Sequence, residues 1–113
     1  MVTSVLLVCG KDGSLKGCVA EGHAGFSARG RDIVCAAESM LFRTVMETLE
    51  HTEGLVFSAD TSTRGTLAFT VEQKCPSPVL SERLKCAADF IRTGIKSLVS
   101  DYPDYVQLRE KTE

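Results

Sequence analysis

At 113 residues, with 43% hydrophobic and 25% charged side chains, the chain is long enough for one core and too short for two. A net charge of -2 and a pI near 5.7, with no long run of one sign, exclude the basic footprint of a nucleic-acid binder. The N-terminal apolar run is only about five residues long and follows no positive charge, so neither a signal peptide nor a membrane span is read and the cytoplasm is the expected compartment.

Five cysteines, an odd number without CxxC spacing, fit a reducing compartment better than a disulfide framework. With only two histidines, no structural zinc site is expected, and no cofactor loop is seen.

In chain order, residues 3–9 form a β-branched, apolar strand. Gly10-Lys11-Asp12-Gly13 is a turn signal, and a second strand runs from Leu15 to Ala20, which makes an opening β-hairpin. Glu21-Gly22-His23 then enters a loop punctuated by Gly25 and Gly30, where glycine permits positive φ and close approach to a ligand. Asp32 stands where a helix N-cap belongs. From Ile33 on, Val34, Ala37, Met40, Leu41, Val45 and Leu49 follow helical spacing, and Ser39, Arg43, Glu47 and Glu50 gather opposite, over about 18 residues. Cys35 falls on the border between the two faces and should be reachable.

A third strand is predicted over 55–59 and a fourth, alternating, over 66–72, as a second hairpin. Ser77 and Pro78 read as N-cap and first residue of a second helix with the stripe Leu80, Leu84, Ala87, Ile91, Ile95 and Leu98. Tyr102-Pro103 ends it. A short strand from Tyr105 to Arg109 closes a domain spanning 1–109, and 110–113 is a polar tail. The order ββαββαβ, with hairpin-linked strands and two amphipathic helices, predicts an α+β two-layer sandwich on a mostly antiparallel or mixed sheet.

The stretch from Gly22 to Ser39 has the layout of an activated thiol. A cysteine attacks as its thiolate, and an ordinary thiol is only a few per cent ionised at neutral pH. Cys35, three residues after the expected cap, would profit from the unpaired N–H groups of a first helical turn. The loop from His23 is long enough to bring an imidazole beside the sulfur. Asp32 has two readings, helix cap or orienting partner of His23. The backbone N–H groups of Cys35 and Ala36 are candidates for an oxyanion hole. Weighed singly, a cysteine near a helix start is more often a small buried hydrophobe than a nucleophile. Cys9 and Cys18, neighbours in the first hairpin, read as core; Cys75 and Cys86 have no ligand spacing.

Gly22-His23-Ala24, a short loop to Gly30, then Asp32-Ile33-Val34-Cys35-Ala36-Ala37 and Ser39 resemble the signature of the ribosomal-processing cysteine proteases, and the element order and the Tyr102-Pro103-Asp104-Tyr105 segment are similar too. The resemblance implies a cytoplasmic endopeptidase that removes the N-terminal extension of the twenty-seventh large-subunit ribosomal protein, cleaving after an aromatic pair. It implies Cys35 as nucleophile and His23 as general base and acid. A mobile substrate loop with Gly22, Gly25, Phe26 and Gly30 and a homodimer are also implied. The rival reading is a non-catalytic peptide-binding or ribosome-associated regulatory homodimer; only the enzyme needs both His23 and Cys35.

Overall fold

The first hairpin follows from its turn. Asp12 accepts hydrogen bonds from the Ser14 N–H at 3.0 Å and from Ser14 Oγ at 2.7 Å, which holds the chain reversal between β1 (Thr3–Cys9) and β2 (Leu15–Glu21). The structure, a computed structural model, describes residues 3–22, 29–62 and 65–113, residues 29–32 by their backbone only. After β2 come α1 (Arg29–Glu50), β3 (Leu55–Asp60), β4 (Thr66–Gln73), α2 (Pro78–Asp101) and β5 (Val106–Thr112).

This is the predicted ββαββαβ order. The strands form one sheet in the order β3-β4-β2-β1-β5. Three pairs are antiparallel and the β1–β5 pair is parallel, so the sheet is mixed. Along β1, Thr3, Val5, Leu7 and Cys9 are buried, whereas Ser4, Leu6 and Val8 are half-buried. This period of two, carried across the register to Cys18, Ala20, Phe69 and Val71, defines the face that both helices cover. The core lies in that layer. Gly17 is needed where β2 meets β4, because a Cβ there would stand 2.7 Å from the Phe69 carbonyl oxygen.

The second helix starts as its sequence requires. Ser77 is extended and its hydroxyl accepts from the Leu80 N–H at 3.3 Å, with Pro78 in the first turn. Gln73 reinforces the start by accepting from the Ser77 N–H at 2.7 Å and donating to Ser81 Oγ at 2.9 Å. Leu84, Ala87, Ala88, Ile91 and Ile95 form its buried line.

Three expectations change. First, α1 begins at Arg29 and has 22 residues, so Asp32 is its fourth residue and Gly30 its second. Asp32 is therefore not the N-cap, and Gly30 belongs to the helix rather than the loop. Second, the buried line of α1 runs through Val34, Glu38, Phe42, Val45 and Leu49. Ile33, Ala37 and Met40 point outward, with Ile33 54% and Met40 61% exposed. The helix is rolled toward Phe42, whose ring fills more core volume than Ala37 can. Third, β5 continues to Thr112 in register with β1, Cys9 opposite Thr112, so 110–112 are strand and not tail.

Candidate active site

The candidate residues follow the exit of β2 in sequence and continue into α1. Gly22, at φ 99°, donates its N–H to the Gly65 carbonyl at 2.9 Å, which joins the exit of β2 to the β3–β4 turn. That backbone region favours glycine because a Cβ is penalised there. His23 follows immediately in sequence. His23, Gly25 and Phe26 lie outside the described residues.

Cys35 is half-buried on α1, between the buried line and the exposed side, as its helical angle predicted. Ser39 lies one turn further along the same flank and is exposed. Ala36 and Ala37 are exposed as well. Because α1 starts at Arg29, Cys35 is its seventh residue and sits in the second turn. In an ideal α-helix an N–H at the seventh or eighth position pairs with the carbonyl four residues back. An oxyanion hole built on the N–H groups of Cys35 and Ala36 would compete with the helix's own hydrogen bonds. The dipole's effect also falls off within the first turn, so the helix end does less for Cys35 than the sequence reading assigned to it.

Glu38, fully buried on the core side of α1, was not singled out by sequence reasoning. It is packed toward Cys18 of β2. The Cys18 thiol is pushed up to about 12, first by burial and then by repulsion from Cys9 and Glu38. Cys18 is therefore a neutral packing residue. Cys9 is also held above the ordinary thiol value, mainly by burial, against the pull of Arg92, whose guanidinium lies 3.9 Å from the sulfur. Cys75 and Cys86 are exposed and lie away from β2's exit.

A groove of about 520 Å³ runs along the Cys35 flank of α1, between that helix and the β3–β4 hairpin. Ser39, Arg43 and Met46 form its helical wall, and Phe57 and Leu67 its sheet side. A period-of-four reading of 35, 39, 43 and 47 places Arg43 and Glu47 beside it. The pairing of that flank with Phe57 is a tertiary fact, without a local signal.

The family model for cysteine protease Prp matches residues 1–107. The chain belongs to the cysteine protease Prp family. It is accordingly a cysteine-type protease, and the α+β fold with its five-stranded mixed sheet is that family's fold. Among solved structures, SMU.848 from Streptococcus mutans is 24% identical, with a TM-score of 0.78 over 99% of this chain and 96% of that one. The essential ribosomal processing protease Prp from S. aureus in complex with a substrate peptide is 14% identical, with a TM-score of 0.77 over 97% of this chain and 100% of that one. The same S. aureus protein with a covalently linked product peptide gives 13% identity and a TM-score of 0.73 over the same shares. No curated protein matches the chain significantly. No helix among the described residues is long and apolar enough to cross a membrane.

Proposed function

We propose that this protease removes the N-terminal extension of the twenty-seventh large-subunit ribosomal protein, cutting after an aromatic pair, through a thiolate at Cys35 and an imidazole at His23. The observation that carries the reading is the family match over residues 1–107, which includes the whole stretch from Gly22 to Ser39. The half-buried position of Cys35 on α1 is compatible with it, and His23 is two residues past the end of β2 in sequence.

The Cys35 thiolate attacks the carbonyl carbon of the scissile peptide, and the electron pair of the C=O bond moves to oxygen. As the tetrahedral adduct collapses, the C–N bond breaks and the His23 imidazolium gives its proton to the leaving amine. Water then enters, His23 takes one of its protons, and hydroxide attacks the thioester. The C–S bond breaks, releasing the product as a carboxylic acid that gives its proton to solvent and restoring the thiolate–imidazolium pair. Asp32, in the first turn of α1, is close enough in sequence to serve as an orienting group for His23, and Gly22, Gly25 and Phe26 belong to the segment that would meet the peptide. The protein works in the cytoplasm as a homodimer on this reading, in keeping with the described helices, none of which suits a membrane.

The test is cleavage of a peptide spanning the extension junction, followed by mass, with the native protein and its Cys35→Ala and His23→Ala forms. Cleavage by the native protein and its loss in both variants is the expected result. Cleavage that survives Cys35→Ala overturns the cysteine mechanism. No cleavage by the native protein, with tight binding of the uncut peptide, returns the non-catalytic reading.

A further inference from the structure

We propose that Glu38 is a positioning residue of this protease: its buried carboxylate steadies the His23 imidazolium, in place and in its charged form, for the Cys35 thiolate. The inference rests on the Cys35–His23 mechanism, and it adds the group on which that imidazole leans.

Glu38 stands three residues after Cys35 on α1, a spacing at which side chains are neighbours with Cβ atoms about 5–6 Å apart. Cys35 lies on the border of the buried line, whereas Glu38 lies within it between Val34 and Phe42, all three without exposure. The carboxylate is therefore on the core side of the thiol. On that side α1 faces Cys18 of β2, whose thiol is raised in part by the charge of Glu38. β2 ends three residues later at Glu21, and His23 is two residues beyond it in sequence. Among the described residues, the one wholly buried carboxylate thus lies between the helix that carries the nucleophile and the strand that leads to its base.

That position is costly for an anion. A carboxylate removed from water is strongly disfavoured unless a cation or hydrogen-bond donors repay the loss, and an apolar side chain of similar size would serve the core at least as well. Across on β2 Glu38 faces Cys18, and on its own helix Cys35; both are thiols, and neither balances a negative charge. The buried side chains that β1, β3, β4, α2 and β5 bring to the core are apolar apart from Thr3 and the thiol of Cys9. An imidazolium supplied from the β2 exit would repay the cost and be held in return.

The sign of the charge narrows the role. A carboxylate three residues from the sulfur opposes the thiolate, so Glu38 favours ionisation of Cys35 only through a cation between them. Through that cation it raises the pH up to which His23 keeps its proton, and it fixes which ring nitrogen is left for the leaving amine. Asp32, three residues before Cys35, is the competing carboxylate, but it belongs to the first turn of α1, whose free N–H groups compete with His23 for it.

The test reads His23 directly. Protein carrying Cys35→Ala and labelled at histidine is titrated by NMR, with His51, exposed just past α1, as the internal reference. The alanine removes the thiolate, so the carboxylates act alone. Adding Glu38→Gln, or Glu38→Met should the amide not be tolerated, is expected to lower the His23 midpoint by about one pH unit or more, and Asp32→Asn to move it less. With Cys35 intact, Glu38→Gln should lower kcat on the junction peptide at least about tenfold with KM within about twofold, and Glu38→Asp should recover part of the loss. A His23 midpoint that ignores Glu38, or that falls further with Asp32→Asn, overturns the proposal. So does a loss of kcat with an unmoved midpoint, which is what a merely structural carboxylate gives. Cleavage that needs Cys35 and His23, beside a midpoint indifferent to Glu38, keeps the protease and removes this residue. A midpoint that responds to Glu38 in a protein whose native form cuts nothing keeps the coupling and removes the protease reading.

Discussion

Raising the pH should unfold this protein through Cys18. The side chain is 1% exposed on β2, between Leu7 of β1 and Phe69 of β4, and its thiol is pushed from an ordinary value of 9.0 up to about 12 by burial, then by Cys9 and Glu38. A folded-state pKa above the unfolded one means that the neutral form's contribution to stability is complete below about pH 9 and is lost as the pH rises toward 12. Each unit between them costs a little over 1 kcal/mol: about 1 kcal/mol at pH 10, roughly 3 at pH 11, and a ceiling near 4. The assay is urea unfolding under reducing conditions at pH 7.5, 9, 10 and 11, for the native protein and Cys18→Ala. At pH 7.5 the alanine form should be about 1 kcal/mol less stable, because a small cavity replaces the sulfur. By pH 10 the two curves should meet, and above it the variant should be the more stable. Cys9, also held above its usual value, contributes in both proteins and drops out of the difference. A stability gap that stays constant from pH 7.5 to 11 refutes the assignment of a strongly raised thiol to Cys18.

Two further predictions concern the frame that holds the site. Gly17→Ala places a methyl 2.7 Å from the Phe69 carbonyl oxygen, and because that oxygen belongs to the sheet backbone, β2 and β4 must separate. The expected cost is about 2 kcal/mol, read as a fall in Tm of roughly 10 °C; an unchanged Tm would show that the strands have room. Ser77→Ala removes the acceptor for the Leu80 N–H and should cost about 1 kcal/mol, whereas Ser77→Asp should retain most of it; equal losses in the two variants would exclude a capping role.

The fold was legible because its local signals agree with each other. Gly10 to Gly13 and Asp12 specify the first reversal, the period-of-two burial in residues 3–9 specifies a half-covered sheet, and Ser77-Pro78 specifies the start of α2 to the residue. Where the reading missed, a tertiary partner had overridden the local pattern. Asp32 looks like a cap, but Arg29, Gly30 and Arg31 join the helix ahead of it. Ala37 and Met40 fit an apolar stripe as well as Phe42 and Glu38 do not, yet the core takes the larger ring and a carboxylate. The polar sequence Glu110-Lys111-Thr112 becomes strand because β1 offers it a parallel partner as far as Cys9, a pairing that nothing within 110–113 announces.

The same early helix start decides what activates the thiol. The sequence offers two sources for the activation of Cys35, the free N–H groups of a first turn and the imidazole of His23. With α1 beginning at Arg29, Cys35 lies past the first turn, so the free N–H groups and the dipole of the helix start do less for it. Cys18 shows what this scaffold does to a thiol enclosed by apolar neighbours and acids: it is driven toward the neutral, unreactive form. On the proposed mechanism the whole burden of ionising Cys35 then rests on His23. It follows that His23→Ala should cost nearly as much rate as Cys35→Ala, at least a thousandfold by the usual scale of cooperating catalytic groups. A His23→Ala enzyme that keeps a tenth of its activity would assign the activating charge to another group.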